Sequence, residues 1–169
     1  AGAILYRTSA QHKEVRVYMI RAVIFDLDGT ITEPFLDFDL IREEMGLAEN
    51  SGPILEQMAQ MDPQRRRQAE QVLARHEQQA LARCRLNAGA VETVRQLRRT
   101  GLKVGIVTRN VRSNVKSIAD RFGLVFDAVV DRQDGPVKPD AFGVLKICEQ
   151  FAVRPHEAIV VGDYVHDLQ

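Results

Sequence analysis

The chain has 169 residues, of which 45% are hydrophobic and 27% charged, with a formal net charge of +0. That length suits one core domain with a modest insertion rather than two full domains, and the composition excludes a wholly disordered chain. A balanced charge supplies no global field for nucleic acid or an anionic membrane, and no apolar run reaches membrane-spanning length.

In chain order, residues 1–18 are an N-terminal extension of uncertain status. Ile4-Leu5-Tyr6 and Val15-Arg16-Val17-Tyr18 could be short strands. The opening Ala1-Gly2-Ala3-Ile4-Leu5-Tyr6 could supply a strand to a sheet edge, in its own or a neighbouring molecule. Ala22-Val23-Ile24-Phe25 is a continuous apolar run ending at an Asp/Gly cluster, the pattern of a buried parallel strand. From 37 to about 85 the chain turns rich in Gln, Arg, Glu, Ala, Leu and Met, which favour helix. Helices are predicted near 37–45, 53–60 and 63–85, the last exposed and carrying Arg65-Arg66-Arg67, an arginine run read as a solvated face. Phe35 and Leu36 could line the mouth of a site or belong to the core of this insertion.

Regular alternation follows. Asn87 is expected to cap a helix with Val91, Val94 and Leu97 on its apolar face, stopped by Gly101. Val104-Gly105-Ile106-Val107 is a second strand, 111–122 a helix stopped by Gly123, and Ala128-Val129-Val130 a third strand. A helix over 139–151 is expected with Pro139 in its first turn, and Ala158-Ile159-Val160-Val161 is a fourth strand. Strands alternating with helices predict an α/β fold: a Rossmann-like, three-layer, doubly wound parallel sheet, with a small all-helical unit inserted after the first strand. The expected division is a core of 19–33 and 87–169 around a helical insertion at 34–86.

In such sheets ligands bind beyond the carboxyl ends of the strands. Those positions hold Asp26 and Asp28 after the first strand and Thr108, Arg109 and Asn110 after the second. Lys138 follows the third, and Gly162, Asp163 and then Asp167 follow the fourth. Carboxylates gathered on one rim repel unless a cation joins them, and hard oxygen ligands favour Mg2+. A cation and Lys138 would neutralise a transferring phosphoryl group, a carboxylate can accept it covalently, and a second carboxyl can act as acid and base. The residues therefore point to phosphoryl transfer. Taken singly, Asp28-Gly29 could be a mere turn, Thr108 a helix cap and Lys138 a solvated lysine.

The four clusters together resemble the motifs of the haloacid dehalogenase superfamily. Asp26-Leu27-Asp28-Gly29-Thr30, then Thr108, then Lys138-Pro139, then Gly162-Asp163-Tyr164-Val165-His166-Asp167 stand in the family's order, each after a strand. The resemblance covers about 20–169 and is phosphoglycolate-phosphatase-like. It implies a phosphatase that acts through an aspartyl-phosphate on Asp26. Asp28 would be the acid/base, Thr108 and Lys138 would bind phosphate, and Asp26, Asp28 and Asp163 would hold Mg2+; Arg109, beside Thr108, could bind phosphate too or only meet water. Asp167 would order Lys138 or the metal's water shell. The insertion sits where the family places its substrate-selecting helical cap. Similar proteins continue past the fourth motif, so a C-terminal part of the core is expected to be missing here.

Alternatives remain open. A phosphomutase would use the same motifs, and a folded relic could bind phosphate without turnover. A dehalogenase does not need Asp28, and a receiver domain carries its phosphorylated Asp after a later strand. Cys84 and Cys148 read as free thiols, and the four histidines form no metal motif. With no secretory leader visible, the expectation is a cytoplasmic enzyme of small phosphorylated metabolites, without nucleic-acid or membrane partners, monomeric or weakly dimeric.

Overall fold

The structure, a computed structural model, describes residues 3–4, 18–49 and 51–167. By their contacts the residues divide into two compact units, one of Ala1–Glu33 with Arg85–Gln169 and one of Pro34–Cys84.

The first unit is built on a parallel sheet. Strands β3 (Ala22–Phe25), β4 (Lys103–Val107), β5 (Ala128–Val130) and β6 (Ala158–Val161) stand in the order β5-β4-β3-β6. The apolar runs form the two central strands: Ala22, Ile24, Val104 and Ile106 are all 0% exposed. Alternation sends successive side chains to opposite faces. Ala22, Ile24 and Val107 pack with Ile147 and Cys148 of α6 (Phe142–Gln150) on one face. Val104 and Ile106 therefore turn to the other face, where α4 (Ala90–Arg99) packs on β4. Burying one such isoleucine stabilises the fold by about 1.5–3 kcal/mol, and the three-layer arrangement follows.

Helix α5 (Arg112–Phe122) ends at Gly123, as expected. Helix α6 differs from its expected start. It begins at Phe142, whose N–H donates to Asp140 Oδ1 at 2.8 Å, and Pro139 lies before it in the loop, joined to Lys138 by a cis bond. The aspartate, not the proline, supplies the start. Near the N-terminus, β1 (Ala3–Ile4) pairs antiparallel with β2 (Tyr18–Met19) in a separate two-stranded ribbon rather than on an edge of the four-stranded sheet. Residues 5–17, which include most of the expected early strands, lie outside the described ones.

The second unit holds α1 (Phe38–Glu44), α2 (Ile54–Ala59) and α3 (Pro63–Arg83). Asp37 and Asp62 cap α1 and α3 by accepting backbone N–H groups of the first turn. The core of the unit comprises Ile41, Met45, Ile54, Met58, Ala69 and Leu73, with Leu36 packed against it, while Arg65, Arg66 and Arg67 are exposed. Among the described residues no helix is long and apolar enough to cross a membrane.

Candidate active site

Parallel register sets the strand ends side by side. Phe25 pairs with Ile106 on one side and Val161 on the other, so the residues that follow each strand emerge together. The Asp26 N–H donates to the Val161 carbonyl at 2.9 Å, and the Thr108 N–H to the Val130 carbonyl at 3.0 Å. Beyond Asp26 the chain coils tightly: Ile31 and Thr32 both donate to the Leu27 carbonyl at 2.9 Å. Gly29 turns this loop with φ at +91°, and a Cβ there would collide with the Asp163 carboxylate. A Cβ on Gly162 would likewise run into Asp167. Both glycines make room for the carboxylates beside them.

Charge is concentrated where solvent is scarce. Asp26 is 9% exposed and Lys138 8%. Lys138 Nζ lies 2.5 Å from Asp26 Oδ1 and 2.5 Å from Asp167 Oδ1. Burial pushes the Asp26 carboxyl up to about 6; the Lys138 ammonium and the Leu27 N–H pull it down, and the Asp167 charge adds to the rise. Asp167 is fixed in turn, its Oδ2 accepting the Tyr164 N–H at 3.0 Å. One ammonium thus bridges two carboxylates. Carboxylate oxygens of Asp26, Asp163 and Asp167 also lie within 4.8 Å of one another, a grouping that could hold a cation.

The second strand end supplies the polar frame. Thr108 Oγ1 accepts the Asn110 N–H at 3.0 Å, so its own proton is directed elsewhere. Asn110 Nδ2 lies 3.1 Å from Asp28 Oδ2. Arg109 Nη1 donates to the Lys138 carbonyl at 2.7 Å, so this guanidinium braces the main chain under the lysine. Thr30 Oγ1 donates to Asp163 Oδ1 at 2.9 Å.

The seven residues assigned a chemical role from the sequence therefore stand beyond the strand ends of one sheet. Asp26, Lys138, Asp163 and Asp167 are gathered by ion pairs and proximity, and Asp28 and Thr108 are tied together through Asn110. Two further groups carried no pattern in the sequence: Asn110 in its contact with Asp28, and Asn114, whose Nδ2 donates to Asn110 Oδ1 at 2.8 Å; Thr30 stood in the first motif without a role of its own. Asn87 departs from its expected role. Helix α4 is capped by Gly89 at φ 81°, and the Asn87 amide instead donates to the carbonyls of Gly29, Thr30 and Thr32 at 2.8, 2.8 and 3.1 Å. A coiled loop turns several carbonyls inward, and one amide in reach of three serves them better than it would a helix end.

The chain matches the model of the haloacid dehalogenase-like hydrolase family over residues 20–169. It is 28% identical over 158 residues to a haloacid dehalogenase-like hydrolase domain-containing protein of Arabidopsis thaliana, covering 88% of this chain and 64% of that protein. It is 43% identical over 83 residues to a pyrophosphatase of Bacillus cereus, covering 46% of this chain and 37% of that one. The chain thus spans less than two thirds of the length of either relative. Among solved structures, a hydrolase from Pseudomonas syringae superposes with a TM-score of 0.72 at 20% identity, covering 88% of this chain and 78% of the other, and so shares the fold.

Proposed function

We propose that this chain, which belongs to the haloacid dehalogenase-like hydrolase family, is a phosphatase of small phosphate monoesters with Asp26 as its nucleophile. The observation that carries this reading is the Lys138 ammonium, 2.5 Å from a buried carboxylate that opens directly onto a strand-end rim. The pyrophosphatase name borne by the Bacillus relative supports phosphoryl chemistry.

An Asp26 oxygen attacks phosphorus, and the bond to the leaving oxygen breaks as Asp28 gives that oxygen its proton. Asp28, now ionised, takes a proton from water; the water oxygen attacks phosphorus, the bond to Asp26 opens, and phosphate leaves. Lys138 has three N–H donors and uses two on Asp26 and Asp167, leaving one for a phosphoryl oxygen. The Thr108 hydroxyl donates to another. Arg109, which braces the Lys138 main chain, contacts phosphate as well in this reading.

The donor set fits Mg2+. It is made of hard carboxylate oxygens from Asp26 and Asp163, with Asp167 beside them, and Asp28 would add its main-chain carbonyl. The bound ion would favour the ionised nucleophile and offset charge on the transferring group. We assign substrate selection to the helical unit.

The test is phosphate release from p-nitrophenyl phosphate, with and without Mg2+, by the wild type and Asp26→Asn. Mg2+-dependent release that falls at least about 10³-fold in the variant is expected. Equal release by the two proteins would end the reading.

A further inference from the structure

Asn110 is buried, 8% exposed, and each end of its side-chain amide has partners. Its Oδ1 accepts the Val111 N–H at 2.8 Å and Asn114 Nδ2 at 2.8 Å. A backbone N–H can only donate, so the atom facing Val111 must be the oxygen, and a flipped amide would set donor against donor. The NH2 group is therefore the end presented to Asp28, 3.1 Å from Oδ2 and 3.4 Å from Oδ1. Asn114, on α5 and 8% exposed, is also buried and holds the orientation from behind.

We propose that Asn110, locked by Asn114 and Val111, is a positioning residue that holds the Asp28 carboxyl in place for proton transfer to the leaving group. The amide can donate to Asp28 but cannot accept from it. Both carboxyl oxygens face the amide, so a proton carried by Asp28 cannot lie between the carboxyl and Asn110 and points away from it. Without the amide, the carboxyl loses this restraint and the proton is aimed less well. Asp28 is only half-buried, so losing the amide bears on the orientation of its carboxyl more than on the fold.

The proposal rests on the phosphatase reading, and its test separates the two. kcat/KM reports the step in which the leaving group departs. A nitrophenolate leaves with little help from an acid, whereas an alkoxide needs its proton. Wild type, Asp26→Asn, Asn110→Ala, the near-isosteric Asn110→Asp and Asn114→Ala are assayed on p-nitrophenyl phosphate and on glycerol phosphate, with thermal unfolding followed for each. In the Asn110 variants kcat/KM is expected to fall about 10²-fold on the alkyl ester and about threefold or less on the aryl ester. Asn114→Ala reaches Asp28 only through Asn110 and should show the same discrimination, smaller. Equal losses on both esters, or no loss, with an active wild type and a dead Asp26→Asn would overturn this proposal alone. A wild type that hydrolyses neither ester would overturn the phosphatase reading and this proposal with it.

Discussion

The two units use their polar side chains in opposite ways. In the α/β unit the decisive bonds span long stretches of chain and are buried or half-buried: Lys138 to Asp26, Asn110 to Asp28, Asn87 to the Gly29 carbonyl. In the helical unit several charged pairs are local and exposed, as in Arg66 with Glu70 and Arg42 with Asp39. Arg75 and His76 of α3 meet Glu44 of α1 and so join two helices of that unit. Its cohesion comes instead from a small apolar core. The contrast teaches where function is held: bonds made across the sheet are costly to satisfy and hard to replace, whereas pairs one turn apart decorate a helix that packing already stabilises.

The sharpest way to break this contrast is Lys138→Met. Removing the ammonium leaves Asp26 and Asp167 facing each other with no cation between them, and a broken buried pair costs about 3–5 kcal/mol. Urea unfolding without added metal should show a loss of about 3 kcal/mol, and phosphate release should vanish. A variant within about 0.5 kcal/mol of the wild type would show that the bridge is not structural.

Asp134 offers an intermediate case. Burial works against its ionisation, but the Asp131 N–H, Lys146 and Arg112 outweigh it and hold the carboxyl at about 2, against an ordinary 3.8. A depressed folded-state value means that stability is present above 3.8 and lost as pH falls through about 2. Near pH 6, Asp134→Asn should be less stable by about 1 kcal/mol after solvent screening, with the gap closing from about pH 4 downward. A gap that stayed constant from pH 6 to pH 2 would refute the charge explanation.

Smallest of all should be Arg66→Ala in the helical unit, about 0.5 kcal/mol or less. A thermal scan that moved by more than about 4 °C would put Arg66 in a different class.

The sequence showed the strands of the sheet and the residues at their ends because both leave local signatures: largely apolar runs of three or four residues, each broken by Asp, Gly or Thr. It also showed that 37–85 would be helical, from composition alone. It did not show how the loops are tied. Asn87 and Gly29 are 58 positions apart and Asn110 and Asp28 82 apart, with no periodicity to link them. An asparagine before a helix looks like a cap, and only the folded chain reveals carbonyls in greater need of it. The same holds for Pro139, whose place before α6 is set by Asp140 taking the Phe142 N–H.

The hydrogen bonds around Asn87 have one more consequence. The Glu33 N–H donates to the Arg85 carbonyl and the Asn87 N–H to the Ile31 carbonyl, both at 3.0 Å, so the chain leaving the α/β unit and the chain returning to it are zipped together. Everything between them is a loop whose ends are already closed. Closing such a loop costs entropy that grows only slowly with its length, about 0.6 kcal/mol per doubling. By loop closure alone, the length of chain spliced between Glu33 and Arg85 therefore costs the host unit little, because the zipper brings the two ends together whatever that length is.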